Sequence, residues 1–153
     1  MEHDHMARPV TAKFSERVIH LGDGADPEVF APICGLTTKG LTVTNNTQST
    51  PVPDCIDEDL PAFEEKSTDT QSASIAGTGV WTKERHNEML DWALKGDERN
   101  IRYQFVNVTS GDVEFLDGPA ILTSMGDTVE RGKKVMAELA IEFSQAPTPV
   151  VAA

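Results

Sequence analysis

Aromatic residues make up only 6% of this 153-residue chain. A ligand-stacking surface normally shows clustered aromatics, so the chain is poorly equipped to be a carbohydrate or receptor binder. Bases are scarce too: 13 Lys and Arg stand against 25 Asp and Glu, a formal charge of −12. That balance keeps a protein soluble and gives it no electrostatic attraction to nucleic acid or anionic membranes. Cysteine is limited to Cys34 and Cys55, which read as reduced thiols. No apolar run approaches the length of a membrane span. The opening MEHDHMARPVTAKF has no apolar signal-peptide centre, which sets the expectation of a protein made in a cytoplasm. On that expectation the sequons at Asn45 and Asn107 carry no glycan.

Chemistry is also hard to find. The histidines, His3, His5, His20 and His86, fall in no metalloprotease, zinc-finger or triad spacing. His86 reads as a partly exposed helix residue with no nucleophile beside it. Gly77-Thr78-Gly79 is too short for a phosphate loop, and glycines inside a strand usually mark a close backbone approach. His3 near a free amino terminus could chelate copper or nickel, but no closed ligand set surrounds it. Asp54, Asp57, Glu58 and Asp59 lack the spacing and central glycine of a calcium loop, and read as a solvated acidic loop. The expectation is a protein with no catalytic residues, no metal and no cofactor.

The organising stretch is Ser72 to Gly96, where two periods meet. Up to Val80 the chain alternates, with Ala73 and Ile75 on one side and Ser72, Ser74 and Thr78 on the other, as in a strand with one wet face. From Lys83 apolar residues recur at helical spacing. Thr82 stands at the N-cap, Glu84 in the first turn, Lys95 in the last and Gly96 just beyond. The spacing predicts one helix over 83–95, packed through Met89, Leu90, Ala93 and Leu94. Trp81 and Trp92 bracket it and read as packing anchors.

Elsewhere the pattern is strands and turns. Ala12–Leu21 is a strand of unclear phase, since Phe14 and Val18 conflict with Ile19 and Leu21. Turn chemistry at 22–27 precedes a strand over 28–35, in which Pro32 requires an edge or bulge. Gly40 precedes a strand through Thr44. Asn45 to Asp69 shows no clean period, carries Pro51, Pro53 and Pro61 with many acids, and reads as a long loop. Its embedded Ile56, Leu60 and Phe63 imply docking onto something. Strands follow at 101–105, around 113–115 and at 120–125. Asp117-Gly118-Pro119 reads as a turn between the last two. Lys133–Phe143 has the clearest alternation: Val135, Ala137, Leu139, Ile141 and Phe143 against Lys134, Glu138 and Glu142. The tail from Gln145 reads as an unpacked arm. The sum is mainly β: two packed antiparallel sheets, sandwich or barrel, flanked by one α-helix.

The order of these elements, with SASIAGTGVW before the helix, GPAILTSM later and KKVMAELAIEFSQA near the end, resembles the major tail protein (tail tube) family of long-tailed, non-contractile bacteriophages. The resemblance runs over residues 14–146. It implies a single tail tube domain over 1–153, with terminal arms at 1–11 and 145–153 and the loop 47–69 reaching neighbours. It implies a non-enzymatic virion protein, assembled in the host cytoplasm, whose hexameric rings stack into a tube through which DNA passes. Its partners would be other copies of itself and further tail components such as tape measure and terminator proteins. DNA would transit without specific binding, and no membrane is involved. Ile56, Leu60 and Phe63 are then the candidate inter-subunit residues. Glu114, Glu138 and Glu142 are candidates to face the lumen, where acids would repel DNA from every side. Two other readings use the same fold class: a ring protein of a bacterial secretion system, and a monomeric β-sandwich binding module. Tubes, isolated rings or monomers in electron micrographs would separate the three.

Overall fold

The computed structural model describes residues 10–153. The arm expected over 1–11 lies outside the described residues except for Val10 and Thr11, both exposed. Strand β1 (Arg17–Gly22) follows a 3-10 turn at Phe14–Glu16. That turn explains the conflicting phase. Phe14 is not in the strand and stays 56% exposed, while Ile19 and Leu21 point inward. Next come β2 (Phe30–Pro32), β3 (Leu36–Val52), β4 (Phe63–Val80), α1 (Lys83–Lys95), β5 (Arg99–Phe105), β6 (Val113–Thr128), β7 (Met136–Phe143) and β8 (Thr148–Val151). No described helix is long and apolar enough to cross a membrane.

Among the described residues the chain is mainly β with one α-helix, and all strand pairs are antiparallel. The two expected sheets are halves of one hydrogen-bonded sheet, ordered β2-β1-β5-β6-β7-β4-β3, with β8 also on β6. Strand β6 joins the halves. Its first part, through Ala120, pairs with β5 and its second part, from Ala120, with β7. A bulge between Leu122 and Ser124 lets it bend from one layer into the other. The turn expected at Asp117-Gly118-Pro119 is instead continuous strand. Pro119 is tolerated because its carbonyl, and hence its nitrogen, points into the gap between β8 and β7, where Ser144 donates to Pro119 O at 2.9 Å. No ladder bond is lost by the missing N–H.

Ile19 and Leu21 of β1, Ile101 and Tyr103 of β5, Ile75 of β4, and Leu139 and Ile141 of β7 meet in one core with Met89 and Trp92 of α1. The alternation read in β7 holds: Ala137, Leu139 and Ile141 are buried, while Glu138 and Glu142 are exposed. The C-terminal segment is not an unpacked arm. β8 adds to β6, with Phe115 opposite Val150 and Asp117 opposite Thr148.

The helix has the expected bounds. Thr82 occupies the N-cap without a side-chain hydrogen bond, and Gly96 takes the left-handed conformation with φ 67°, donating its N–H to Trp92 O. Gly79 illustrates the close-approach reading of the strand glycines. A Cβ there would sit 2.6 Å from Leu36 Cα, where β3 bulges between Leu36 and Thr38. Gly79→Ala must therefore displace backbone. We expect it to cost about 1–3 kcal/mol by overpacking, read as a lower urea midpoint at constant m-value. A midpoint unchanged from the native protein would show that the bulge yields freely.

Candidate assembly surfaces

The largest departure from the sequence reading lies at 45–69. Instead of a loop over 47–69, β3 and β4 continue as a hairpin of 17 and 18 residues, and the connection shrinks to 53–62. The hairpin runs far past the end of β7, whose pairing with β4 stops at Ser74. Beyond that point both hairpin faces are wet, so no apolar alternation exists to announce the strands. β-branched Thr44, Thr47, Thr50, Thr68 and Thr70 favour extended backbone there. Cross-strand polar pairs add to it: Asn46 Nδ2 donates to Thr70 Oγ1 at 2.8 Å and Gln71 Nε2 to Asn45 Oδ1 at 2.9 Å.

The connection at the hairpin tip is a built turn. The Asp54 carboxylate accepts the N–H groups of Ile56 (2.7 Å) and Asp57 (3.0 Å), and Asp57 Oδ1 accepts the N–H of Asp59. The N–H groups of Asp57 and Ile56 hold the Asp54 carboxyl below its ordinary range. The Asp54 and Asp57 carboxylates thus accept from backbone N–H groups of the tip itself, so local hydrogen bonds build the turn. It presents Ile56 (97% exposed), Leu60 (51%) and Phe63 (77%) to solvent.

Four strand segments, β3, β4, β7 and the second half of β6, form a layer whose outer face carries small and hydroxyl side chains. Thr42 lies opposite Ser74, and Ser74 opposite Glu142; Thr38 lies opposite Thr78, and Thr78 opposite Glu138. On β6, Gly126 faces Glu138. No Lys or Arg occupies this register. Lys39 points to the opposite face, where its Nζ donates to Arg17 O and sits 4.0 Å from the Phe14 ring centroid. Burial lowers its pKa. An extra residue in β4 between Thr68 and Thr70 leaves Lys66 on that opposite face too. Neither Glu138 nor Glu142 has a cationic partner among the described residues. Glu114 is not with them. It lies in the first half of β6, beside a bulge between Val113 and Phe115 in the β8 pairing and near Gln104 of β5, in the other layer.

This layer ends in two open edges. β3 has β4 as its one strand partner among the described residues, and β6 from Ile121 to Thr128 has only β7. Unpaired edges are templates for another strand and are usually blunted in monomers.

The helix packs through a different face than its apolar residues suggested. Met89 (0% exposed) and Trp92 (2%) are buried and Ala93 is partly covered, but Leu90 is 40% and Leu94 79% exposed. Leu90 and Leu94 instead line a shallow groove with Leu122 and Met125 beside the open β6 edge. Trp92 Nε1 donates to Asp97 O at 2.7 Å and Trp81 Nε1 to Gly126 O at 3.2 Å, so both tryptophans act as packing anchors. His86 lies edge-on to Trp81 and its Nε2 is 2.8 Å from Asp127 Oδ2. The pair ties α1 to β6.

Comparison with known proteins agrees with this architecture. A family model described as phage tail tube protein matches residues 11–148. A search of curated proteins gives no match. Among solved structures, the chain resembles one from the tail of an empty gene transfer agent particle refined with C6 symmetry (TM-score 0.69, 20% identity, covering 92% of this chain and 100% of that one). It also resembles the SPP1 tail tube (TM-score 0.69, 10% identity, 92% and 81% covered). A third likeness is to a chain of an extracellular contractile injection system sheath–tube complex (TM-score 0.62, 11% identity, 96% and 95% covered). At these identities the likenesses speak to the fold.

Proposed function

The chain belongs to the phage tail tube protein family, and from that premise we propose that it is a structural, non-enzymatic subunit whose hexameric rings stack into a tube around a channel for DNA. The observation that carries this reading is the pair of open edges bounding one layer. The β3 edge of one copy can hydrogen-bond to the β6 edge of the next, and closing such a circle removes both edges of this layer, as in a barrel. The C6 symmetry of the similar gene transfer agent tail supports six copies per turn of that circle. The outer face of this layer then lines the channel, with Glu138 and Glu142 among hydroxyls and no base in register. Tape measure and terminator proteins would be its further partners in the virion tail.

Negative-stain imaging of the purified protein tests this reading. Six-fold rings and hollow tubes are expected; a monomer at all concentrations would sink it. Isolated rings that never stack would favour a secretion-type ring instead.

A further inference from the structure

Ring closure uses the sides of the strands and leaves their ends free. The two ends of the channel-lining layer differ in charge. At the hairpin tip, Ile56, Leu60 and Phe63 are surrounded by Asp57, Glu58, Asp59, Glu64 and Glu65, with no base between Pro53 and Glu65. The other end is marked by Met136 opposite both Val80 and Thr128, so the β6–β7 turn lies there together with the start of α1. Here Val129 (74% exposed) and Met136 (45%) stand among Lys83, Arg131, Lys133 and Lys134. The acids present at this end are Glu84, Asp127 and Glu130; Asp127 faces His86 at 2.8 Å and Glu130 is paired with Lys133 at 3.1 Å. Lys83, Arg131 and Lys134 have no salt-bridge partner among the described residues. The positive end of the α1 dipole adds to the same field.

We propose that these two ends are plug and socket for ring stacking: the acidic, apolar-centred tip of one copy docks on the basic, apolar-centred base of a copy in the next ring. The inference rests on the tube reading above and specifies which surface receives the hairpin. A chain cannot satisfy itself. An 18-residue strand at about 3.3 Å per residue separates tip and base by roughly 60 Å. A contact between two different patches is heterologous, so it repeats without closing and gives stacking a direction. The apolar centres supply burial, while the opposite charges set orientation and register. The Asp54 turn means that the tip enters the contact preformed, with little ordering entropy to lose.

Charge reversal tests this directly. The tip variant Glu58→Lys/Glu64→Lys/Glu65→Lys leaves the Asp54 turn intact, and the base variant Lys83→Glu/Arg131→Glu/Lys134→Glu changes only exposed side chains. Each alone should form rings but tubes at least about ten-fold shorter than native. Mixing the two should restore long tubes, because each reversed end then meets its opposite. A merely structural effect of either variant would not be rescued by mixing. Native-length tubes from either variant alone, or no recovery in the mixture, would overturn the docking. Native protein that forms neither rings nor tubes would overturn the tube reading itself, a distinguishable result.

Discussion

Trp92→Ala should cost about 3–5 kcal/mol, the range for removing a fully buried large aromatic. Trp92 is 2% exposed and lies in the core formed by the two layers and Met89. The substitution removes the ring from that core and leaves Asp97 O, which accepts from Nε1, without its donor. The cost should appear in urea unfolding of dispersed subunits followed by circular dichroism, since fluorescence would then report Trp81 alone. Leu94→Ala, at 79% exposure, should stay within about 0.5 kcal/mol. Leu90→Ala, at 40% exposure, should fall below about 2 kcal/mol. Equal losses for Trp92→Ala and Leu94→Ala would mean that the helix packs through the other side.

Replacing Glu138 and Glu142 by lysine is expected to leave tubes intact and to arrest DNA inside them. Both side chains are exposed on β7, opposite Thr78 and Ser74, so the change disturbs no core contact. Each ring would then present a circle of cations to a duplex that carries about one negative charge per 1.7 Å. Retention should be strongly salt-dependent. For 6–10 phosphate contacts, affinity falls by about 10³–10⁵ between 50 and 200 mM salt. Genome release from virions carrying the variant should therefore be slow at low salt and recover as salt rises. Release at the native rate at all salt concentrations would show that these acids do not keep DNA mobile.

The contrast between the two predictions reflects what a sequence can encode locally. The helix bounds were legible because caps are local chemistry: Glu84 and Lys95 suit the dipole, and Gly96 supplies the left-handed residue. Its buried face was not. At about 100° per residue, Met89, Trp92 and Ala93 share one arc while Leu90 and Leu94 continue it. The apolar arc is wider than a single contact, and only the position of the two layers decides which part is covered. The same distinction runs through the strands. In β7 the alternation was legible because one face is buried and the other wet. In the distal halves of β3 and β4 both faces are wet, so strand and loop look alike until register is known. At Gly118-Pro119 the local signal for a turn was real. It was overridden because the missing N–H falls in the gap between β8 and β7, a place created by tertiary pairing. The class of fold, the helix over 83–95, the family and the outward acids of β7 were all legible in the sequence alone. Only the tertiary structure decided that two layers are one sheet, that a supposed loop is a hairpin with a built tip, and that Glu114 stands apart from Glu138 and Glu142. Periodicity records which faces lose water, whereas strand pairing depends on backbone groups that every residue type shares.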